Sequence, residues 1–259
     1  MRGTTYRLLS DSIAIITLNR PNAANALSKV LLDELNEYIY EINQSTTIRC
    51  LIITGAGNKA FCAGADLKER KEMSEDQVVQ AVHYIGKTIT ALENVRIPVI
   101  AAINGAAFGG GLELALACDI RIASNQTKIG LTETTLAIIP GAGGTQRLPR
   151  LIGPGQAKRL IYTGKPISTE EAYTLGLVEE LTSPDDVVER ATEMAIKIAS
   201  NGPVAIRQAK FAIDSGLQTD LTTGLKLEHL AYKETIPTKD RVEGLAAFKE
   251  KRKPIYKGN

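Results

Sequence analysis

Two glutamates are the residues of this sequence whose surroundings best suit acid–base chemistry. Glu113 stands between Leu112 and Leu114, in an apolar run that follows three glycines. Burial disfavours the charged form of a carboxyl group, so it would raise the pKa of Glu113 toward a range useful in catalysis. A glutamate near a helix N-terminus can also be stabilised by the helix dipole while it stays partly exposed. The sequence leaves both interpretations of Glu113 open.

The second glutamate, Glu133, lies near another glycine-rich segment at residues 141–144. Taken alone, a glutamate in such a loop is more often solvated than catalytic. The two histidines, His83 and His229, fall in predicted helices among mixed polar neighbours, which is typical of surface positions. Two carboxylates without a catalytic histidine favour paired acid–base chemistry, in which one activates water and the other handles a carbon-bound proton.

Three successive glycines, Gly109 to Gly111, mark the junction between a predicted strand and an apolar predicted helix. Such residues let the backbone approach a ligand and expose amide N–H groups. A helix that starts there directs its partial positive charge to the same place, which suits a developing oxyanion. A tight turn with close helix packing explains the triplet equally well.

Other chemistries find little support in the sequence. Residues 55–60 fit the dinucleotide fingerprint Gly-x-Gly-x-x-Ala, but no amphipathic helix follows, and Glu75 and Asp76 open a helix where that fold needs the end of a strand. No nucleophile elbow, P-loop or His-Glu-x-x-His motif is present. Cys50, Cys62 and Cys118 are widely spaced in apolar sequence, so we expect buried, reduced thiols and no metal site.

Composition is that of an ordinary globular protein. The 259 residues are 44% hydrophobic and 23% charged, with a formal net charge of +2, which gives no general reason to expect nucleic acid or an anionic membrane as partner. The apolar runs are too short to span a bilayer. The segment after Met1 has no signal-peptide pattern and leads into alternating, strand-like sequence. We therefore expect a cytoplasmic protein without a membrane span.

The elements that must position these residues alternate between strand and helix. Strands are predicted at residues 12–18, 50–54, 98–103, 119–123 and 177–181, and helices at 28–43, 74–94, 187–200, 204–215, 219–235 and 241–251. This alternation predicts an α/β layered core. No linker divides the chain, so we expect one domain, with a core at residues 1–195 and a helical extension at 196–259.

Three segments carry a distinctive combination of motifs: Phe61-Cys-Ala-Gly-Ala-Asp-Leu-Lys68, the stretch 104–115 that ends in Gly-Gly-Gly-Leu-Glu-Leu-Ala, and Ile139-Pro-Gly-Ala-Gly-Gly-Thr-Gln-Arg147. Together they resemble the enoyl-CoA hydratase/isomerase (crotonase) superfamily. The resemblance extends over residues 19–252. Within the superfamily, residues 115–121 and 235–241 are most similar to the 3-methylglutaconyl-CoA hydratases, which include a member that binds AU-rich RNA.

The resemblance implies an enoyl-CoA hydratase in which Glu113 holds the attacking water and Glu133 protonates the carbon next to the thioester carbonyl. The backbone N–H groups of Ala65 and Gly110 would form the oxyanion hole. Coenzyme A is part of the substrate, and no metal or redox cofactor is required. Ten residues would lie along the substrate and coenzyme A site: Ala24, Ala63, Asp66, Leu67, Lys68, Gly109, Pro140, Gly141, Tyr232 and Lys251.

The same resemblance implies a spiral of repeated ββα units, with C-terminal helices that pack on neighbouring subunits of a trimer or a trimer-based hexamer. Tyr232 and Lys251 would then reach coenzyme A bound to an adjoining subunit. Leu131 stands where short-chain hydratases resemble one another in carrying glutamine, so the acyl group is left open.

Three alternatives to hydration stay open at this point. Isomerases of the family typically lack one of the two carboxylates, so the presence of both favours hydration, and thioester hydrolysis is the weaker alternative. The third is RNA binding, because the first long helix of the RNA-binding member is rich in lysine. The matching helix here has Lys29 against four acidic residues, Asp33, Glu34, Glu37 and Glu41. We expect no tight RNA binding, since a negative face repels phosphate.

Overall fold

The computed structural model describes residues 3–259, so Met1 and Arg2, the first residues of the N-terminal segment considered above, lie outside it. Within that range the chain forms ten strands: β1 Thr4–Ser10, β2 Ile13–Leu18, β3 Cys50–Gly55, β4 Ala60–Cys62, β5 Val99–Ile103, β6 Ala106–Phe108, β7 Ile120–Ser124, β8 Lys128–Gly130, β9 Ile167–Ser168 and β10 Glu180–Thr182. The same residues form eleven α-helices: α1 Lys29–Gln44, α2 Leu67–Arg70, α3 Glu75–Glu93, α4 Gly110–Leu116, α5 Gly144–Ile152, α6 Pro154–Thr163, α7 Thr169–Thr174, α8 Val187–Ala199, α9 Pro203–Gly216, α10 Leu221–Thr235 and α11 Lys239–Glu250.

Six strands form a large sheet in the order β1-β2-β3-β5-β7-β10, and all neighbouring pairs are parallel except β1 with β2. The inner strands are continuous apolar runs, as a parallel sheet that is covered on both faces requires. Alternate residues of β3 face opposite layers. Cys50 and Ile52 pack with α8, whereas Leu51 and Ile53 join the main core together with α1 and α3. The predicted α/β class is confirmed.

A smaller sheet in the order β4-β6-β8-β9 holds the elements of the site. Its strands β4, β6 and β8 run parallel, and each follows directly after a strand of the large sheet. Each of the three then leads into a helix: β4 into α2, β6 into α4, and β8, after a 3-10 turn, into α5. The chain therefore repeats a ββα unit three times.

Helix caps agree with the sequence pattern, whereas one predicted strand is misplaced. Ser28 caps α1 through the backbone N–H of Leu31, and Ser74 forms a capping box at the start of α3. The strand expected at residues 177–181 is wrong in its start, because β10 begins at Glu180. Leu177 is instead part of a turn, in which its N–H donates to the Ala172 carbonyl oxygen at 2.8 Å.

The C-terminal third is helical, as expected. Helices α9 and α10 pack against each other. Large apolar side chains stay exposed on α9–α11 and at the C-cap of α9: Phe211, Ile213, Leu217, Leu221, Leu225, Leu230, Leu245 and Phe248. The division expected at residue 195 falls within α8, which packs on the large sheet as far as Ala199. Among residues 3–259 none of the helices combines the length and the hydropathy that a membrane span needs.

Gly111 is required by the close approach of α4 to β4. A Cβ atom added there would lie 2.7 Å from the Cys62 carbonyl carbon and closer still to its oxygen. Gly155 in α6 is a matched helical glycine, because a Cβ added there meets no atom within 4 Å. Alanine substitutions at the two positions therefore separate the effect of close packing on stability from the effect of helix propensity.

We predict opposite effects for the two alanine substitutions. Gly111→Ala should destabilise the protein by about 1–3 kcal/mol, because the backbone of β4 must move. Gly155→Ala should stabilise it by about 0.4–1 kcal/mol, because it restricts the unfolded chain. Urea unfolding of both variants measures the difference. Equal stability of the two variants would contradict the close packing of α4 on β4.

Candidate active site

The loops that follow β4, β6 and β8 bring the site together. Because these strands are parallel, their carboxyl ends meet at one edge of the small sheet. Ala65 follows β4, Gly109 and Gly110 follow β6, and Glu133 follows β8. Glu113 lies one turn into α4, on the helix that starts at the same edge. Residues that are far apart in sequence are thus neighbours in one site.

Glu113 is buried, with 3% of its surface exposed, and its carboxylate is held by backbone amides. Its Oε1 accepts hydrogen bonds from the N–H groups of Ala142 and Gly144, both at 2.8 Å. Burial raises the pKa of Glu113, while these two donors and the positive charges of Arg147 and Arg70 act in the opposite direction. The exposed, dipole-stabilised interpretation of Glu113 is therefore wrong.

Glu133 begins a 3-10 turn, Glu133–Leu136, and is half-buried. Burial, together with the negative charge of Glu113, raises the pKa of Glu133 to about 7. Its Oε2 is buried and has no hydrogen-bond partner among residues 3–259. A carboxyl group with this pKa exchanges a proton readily near neutral pH. Glu133 is thus not a solvated loop residue.

Glycine at position 109 allows Glu133 to approach the start of α4. Gly109 has φ +50°, and a Cβ atom added there would lie 3.2 Å from Glu133 Oε1. The Gly109 N–H donates to the Gly130 carbonyl oxygen at 2.9 Å, which joins the loop after β6 to the end of β8. This contact fixes the spacing between the helix that carries Glu113 and the turn that carries Glu133.

Two backbone amides near the carboxylates have no protein acceptor. A Cβ atom added at Gly110 would lie 3.6 Å from the Ala65 nitrogen, so these two residues face each other. Leu27 forms a bridge to the flanking residues Gly64 and Asp66, which leaves the Ala65 N–H unused. Gly110 is the first residue of α4, where no intrahelical acceptor exists. Within the described residues neither N–H donates a hydrogen bond, so the pair can bind an oxyanion.

Arg147 supports the loop that holds Glu113. Its guanidinium donates to the Ala142 carbonyl oxygen at 2.9 Å and pairs with the Glu93 carboxylate at 2.6 Å. Ala142 is one of the two residues whose N–H groups bind Glu113. The ion pair therefore links α3 to α5, and Arg147 also holds the loop whose Ala142 amide orients the buried carboxylate. Sequence reasoning did not single out this pair, because an arginine and a glutamate 54 positions apart carry no local signal.

The residues expected along coenzyme A occupy different environments. Ala24 has left-handed φ of 49°, and its carbonyl oxygen accepts from the N–H of Ala63 at 3.0 Å. Leu67 and Lys68 are exposed on α2. Pro140 is buried and Gly141 is exposed.

Asp66 differs from the other residues of this set, because protein groups already bind its carboxylate. It pairs with Arg20 at 2.8 Å and accepts from the N–H of Lys68 at 3.0 Å, which caps α2. Its backbone N–H also bonds to the Leu27 carbonyl oxygen, beside Ala65. The contacts of Asp66 hold the loop that carries the Ala65 amide.

Tyr232 and Lys251 lie on the C-terminal helices. Tyr232 is exposed on α10, and Lys251 ends α11 with φ 55°. Within one chain α10 packs against α9. In the described residues no group of three or more His, Cys, Asp or Glu side chains could hold a metal ion.

Similarity to known proteins shows the family of this chain. The family model "Enoyl-CoA hydratase/isomerase" matches residues 9–259. The chain is 59% identical to a Bacillus subtilis protein named as an enoyl-CoA hydratase/isomerase, over 98% of this chain and 97% of that protein. The chain belongs to the enoyl-CoA hydratase/isomerase family.

Two further proteins are similar to this chain over most of its length. A crystal structure of an enoyl-CoA hydratase from Bacillus anthracis superposes with a TM-score of 0.98 at 57% identity, covering 99% of this chain and all of that one. The human mitochondrial methylglutaconyl-CoA hydratase is 48% identical over 95% of this chain and 74% of its own length. The expected superfamily, its fold and the hydro-lyase class are confirmed.

We predict that Glu133→Gln stabilises the fold, and more so at high pH. The pKa of Glu133 is raised from 4.5 to about 7 in the folded state. The ionised carboxylate therefore begins to destabilise the fold as the pH rises above 4.5, and the penalty is complete above 7. The neutral amide avoids this penalty, so unfolding in urea should show a gain of about 0.5–2 kcal/mol at pH 8 and little gain at pH 4.5.

Glu72→Gln is the control, because Glu72 is exposed and lies outside the site. The Glu72→Gln variant should show the same difference in the free energy of unfolding between pH 4.5 and pH 8 as the wild-type protein. A Glu133→Gln variant with the same stability gain at both pH values would show that Glu133 is ordinarily solvated.

Proposed function

We propose that this chain catalyses the reversible addition of water to the 2,3 double bond of an enoyl-CoA thioester. The observation that carries the proposal is the arrangement of the buried Glu113 and the half-buried Glu133 beside two unused backbone N–H groups. The thioester oxygen would accept hydrogen bonds from the amides of Ala65 and Gly110. C2 of the substrate would then face Glu133, and C3 would face Glu113.

The two glutamates differ in a way that suits different roles. One oxygen of Glu113 is fixed by two amides, which leaves the other to accept a proton from water as its oxygen bonds to C3. Glu133, with a pKa of about 7, retains a proton in a useful fraction of molecules and can deliver it to C2. Negative charge that develops on the thioester oxygen is stabilised by the two amides. Dehydration is the same sequence in reverse, and no metal or redox cofactor is needed.

Glu113→Gln and Glu133→Gln should each lower kcat for hydration by about 10²–10⁴-fold, because each removes an acid–base group. The double variant should be little worse than either single variant, because the two groups act as a unit. Loss of the conjugated thioester absorbance measures the rate. Thioester binding should change little, since the amide side chains keep the shape of the site.

One alternative predicts a different result for the same variants. If the chain is an isomerase that uses one carboxylate, it should move a 3-enoyl-CoA into conjugation without any 3-hydroxyacyl product. Near wild-type hydration by Glu133→Gln would contradict the two-glutamate mechanism.

We propose a homotrimer, or a hexamer built from trimers, as the active assembly. The exposed apolar side chains on α9–α11 support it, since burial of such a surface is favourable. Tyr232 and Lys251 would then complete the coenzyme A site of an adjoining subunit.

The expectation of no tight RNA binding stays a prediction, supported by the exposed Glu37 and Glu41 on α1. A reducing, cytoplasmic setting also stays a prediction, with the three cysteines free and buried.

Phe248→Glu should shift the assembly toward monomers and raise KM for the thioester, because Phe248 is 86% exposed in the isolated chain. Tyr40→Glu is the control, since Tyr40 is also exposed but lies on α1, which is not part of the helical extension. Sedimentation velocity at micromolar protein and initial rates test both effects. A wild-type monomer with full activity would contradict the proposal.

A further inference from the structure

Arg20 lies between two loops that flank the Ala65 amide. Its Nη1 donates to the Ala26 carbonyl oxygen at 2.8 Å, and its Nη2 pairs with Asp66 Oδ2 at 2.8 Å. The Arg20 side chain is 27% exposed and the Asp66 side chain 8%. Ala26 belongs to the loop before α1, whereas Asp66 belongs to the loop after β4. One partly buried guanidinium therefore joins both loops.

These contacts complete a ring of hydrogen bonds around Ala65. The peptide unit whose carbonyl oxygen binds Arg20 also contains the Leu27 N–H, which donates to the Gly64 carbonyl oxygen at 2.8 Å. The Leu27 carbonyl oxygen accepts from the Asp66 N–H at 3.3 Å, and the Asp66 carboxylate binds Arg20. Because Leu27 pairs with the residues on both sides of Ala65, the Ala65 N–H points to the opposite side of the loop.

Asn25 fixes the backbone of Arg20. The Arg20 N–H donates to Asn25 Oδ1, and the Asn25 N–H donates to the Arg20 carbonyl oxygen, both at 2.9 Å. Asn25 is buried, and its side chain also donates to the Ala60 carbonyl oxygen of β4 at 2.7 Å. The Arg20 side chain therefore extends from a segment that is anchored to the strand leading into the Ala65 loop.

The two amides of the proposed oxyanion hole differ in what holds them. Gly110 starts α4, all of whose residues are buried. Ala65 lies in a loop that approaches the start of α4 closely. A Cβ atom added at Gly64 would lie 2.8 Å from the Phe108 carbonyl oxygen and 3.1 Å from the Gly110 nitrogen. A shift of this loop would change the distance between the two donors, so the ring through Arg20 controls their spacing.

We propose that Arg20 is a positioning residue for the oxyanion hole, because its bridge between the Ala26 carbonyl and the Asp66 carboxylate holds the Ala65 N–H at the spacing from Gly110 that a thioester oxygen needs. The proposal rests on the hydratase function proposed above. Preorganised donors stabilise the negative charge of the transition state more than they stabilise the bound substrate. A change at Arg20 should therefore lower kcat more than it raises KM.

Three variants test this on the best substrate from a panel of 2-enoyl-CoA thioesters. Arg20→Met removes both contacts and should lower kcat by about 10- to 100-fold, since a misplaced donor loses part of its effect, with KM changed by less than about threefold. Arg20→Lys should recover part of the rate, because it keeps the charge but lacks the planar fork that binds both groups. Asp66→Asn should add little to the loss in Arg20→Met, because both residues act through one ring.

The carbonyl group of a bound thioester reports on the two donors without any reaction. Butyryl-CoA has no double bond to hydrate, and a carbon-13 label at its thioester carbonyl gives an infrared band that stronger hydrogen bonds move to lower frequency. In the wild-type protein this band should lie below its position in water. In Arg20→Met it should return part of the way toward the position in water, because the Ala65 N–H no longer meets the oxygen correctly.

Arg159→Met is the control variant, because Arg159 on α6 pairs with Glu171 on α7 at 2.6 Å, on the surface and outside the site. This variant should keep the wild-type kcat and carbonyl band. Wild-type kcat and a wild-type band in Arg20→Met would overturn the inference. If Arg20→Met does not fold, the same two results in Arg20→Lys and Asp66→Asn would overturn it.

The proposed function fails separately from this inference. A wild-type protein that hydrates no thioester of the panel would overturn the hydratase function. The difference in the carbonyl band between the wild-type protein and Arg20→Met would still decide whether Arg20 positions the Ala65 amide.

Discussion

The pair of hydrogen bonds from the Ala142 and Gly144 amides to Glu113 is the interaction on which the rest of the site depends. A buried carboxylate is costly unless hydrogen bonds replace its water. These bonds provide the replacement, and they also join two ββα units, since Glu113 belongs to α4 and Gly144 begins α5. Gly143 adopts φ +107°, which lets both flanking amides point to one oxygen. The ion pair of Arg147 with Glu93 fixes the same loop from outside.

An asymmetry between the two glutamates follows from this arrangement. Glu113 has one oxygen occupied by amides, whereas Glu133 has a buried oxygen with no partner in the described chain. Burial, together with the nearby negative charge of Glu113, makes it harder for Glu133 to ionise. Environments that separate two carboxyl groups in this way allow one to act as base and the other as acid. The spacing depends on glycine, because a side chain at Gly109 would displace Glu133 and one at Gly111 would displace β4.

Much of the frame could be predicted from the sequence, because long apolar periods and Ser caps are local signals. Helices α1 and α3 and the inner strands of the large sheet were found in this way. The three-residue strands β4, β6 and β8 were not, since so short a run has no measurable alternation. For the site, Glu113 stood out through its apolar neighbours, and the resemblance supplied Ala65, Gly110 and the role of Glu133. Arg147 had no such signal, because its importance comes only from contacts with distant parts of the chain.

The central claim is that Glu133 holds a proton near neutral pH because its site is buried and because the negative charge of Glu113 lies nearby. Infrared difference spectra between the wild-type protein and Glu133→Gln, recorded across a pH titration, test this most directly. The account predicts a protonated carboxyl band at pH 6 that disappears with a midpoint of about 7. In the Glu113→Gln background the midpoint should move to lower pH, because the neighbouring negative charge is gone. Two results would contradict this claim: a Glu133 carboxyl group that is fully ionised at pH 6, or a titration midpoint that stays the same in the Glu113→Gln background.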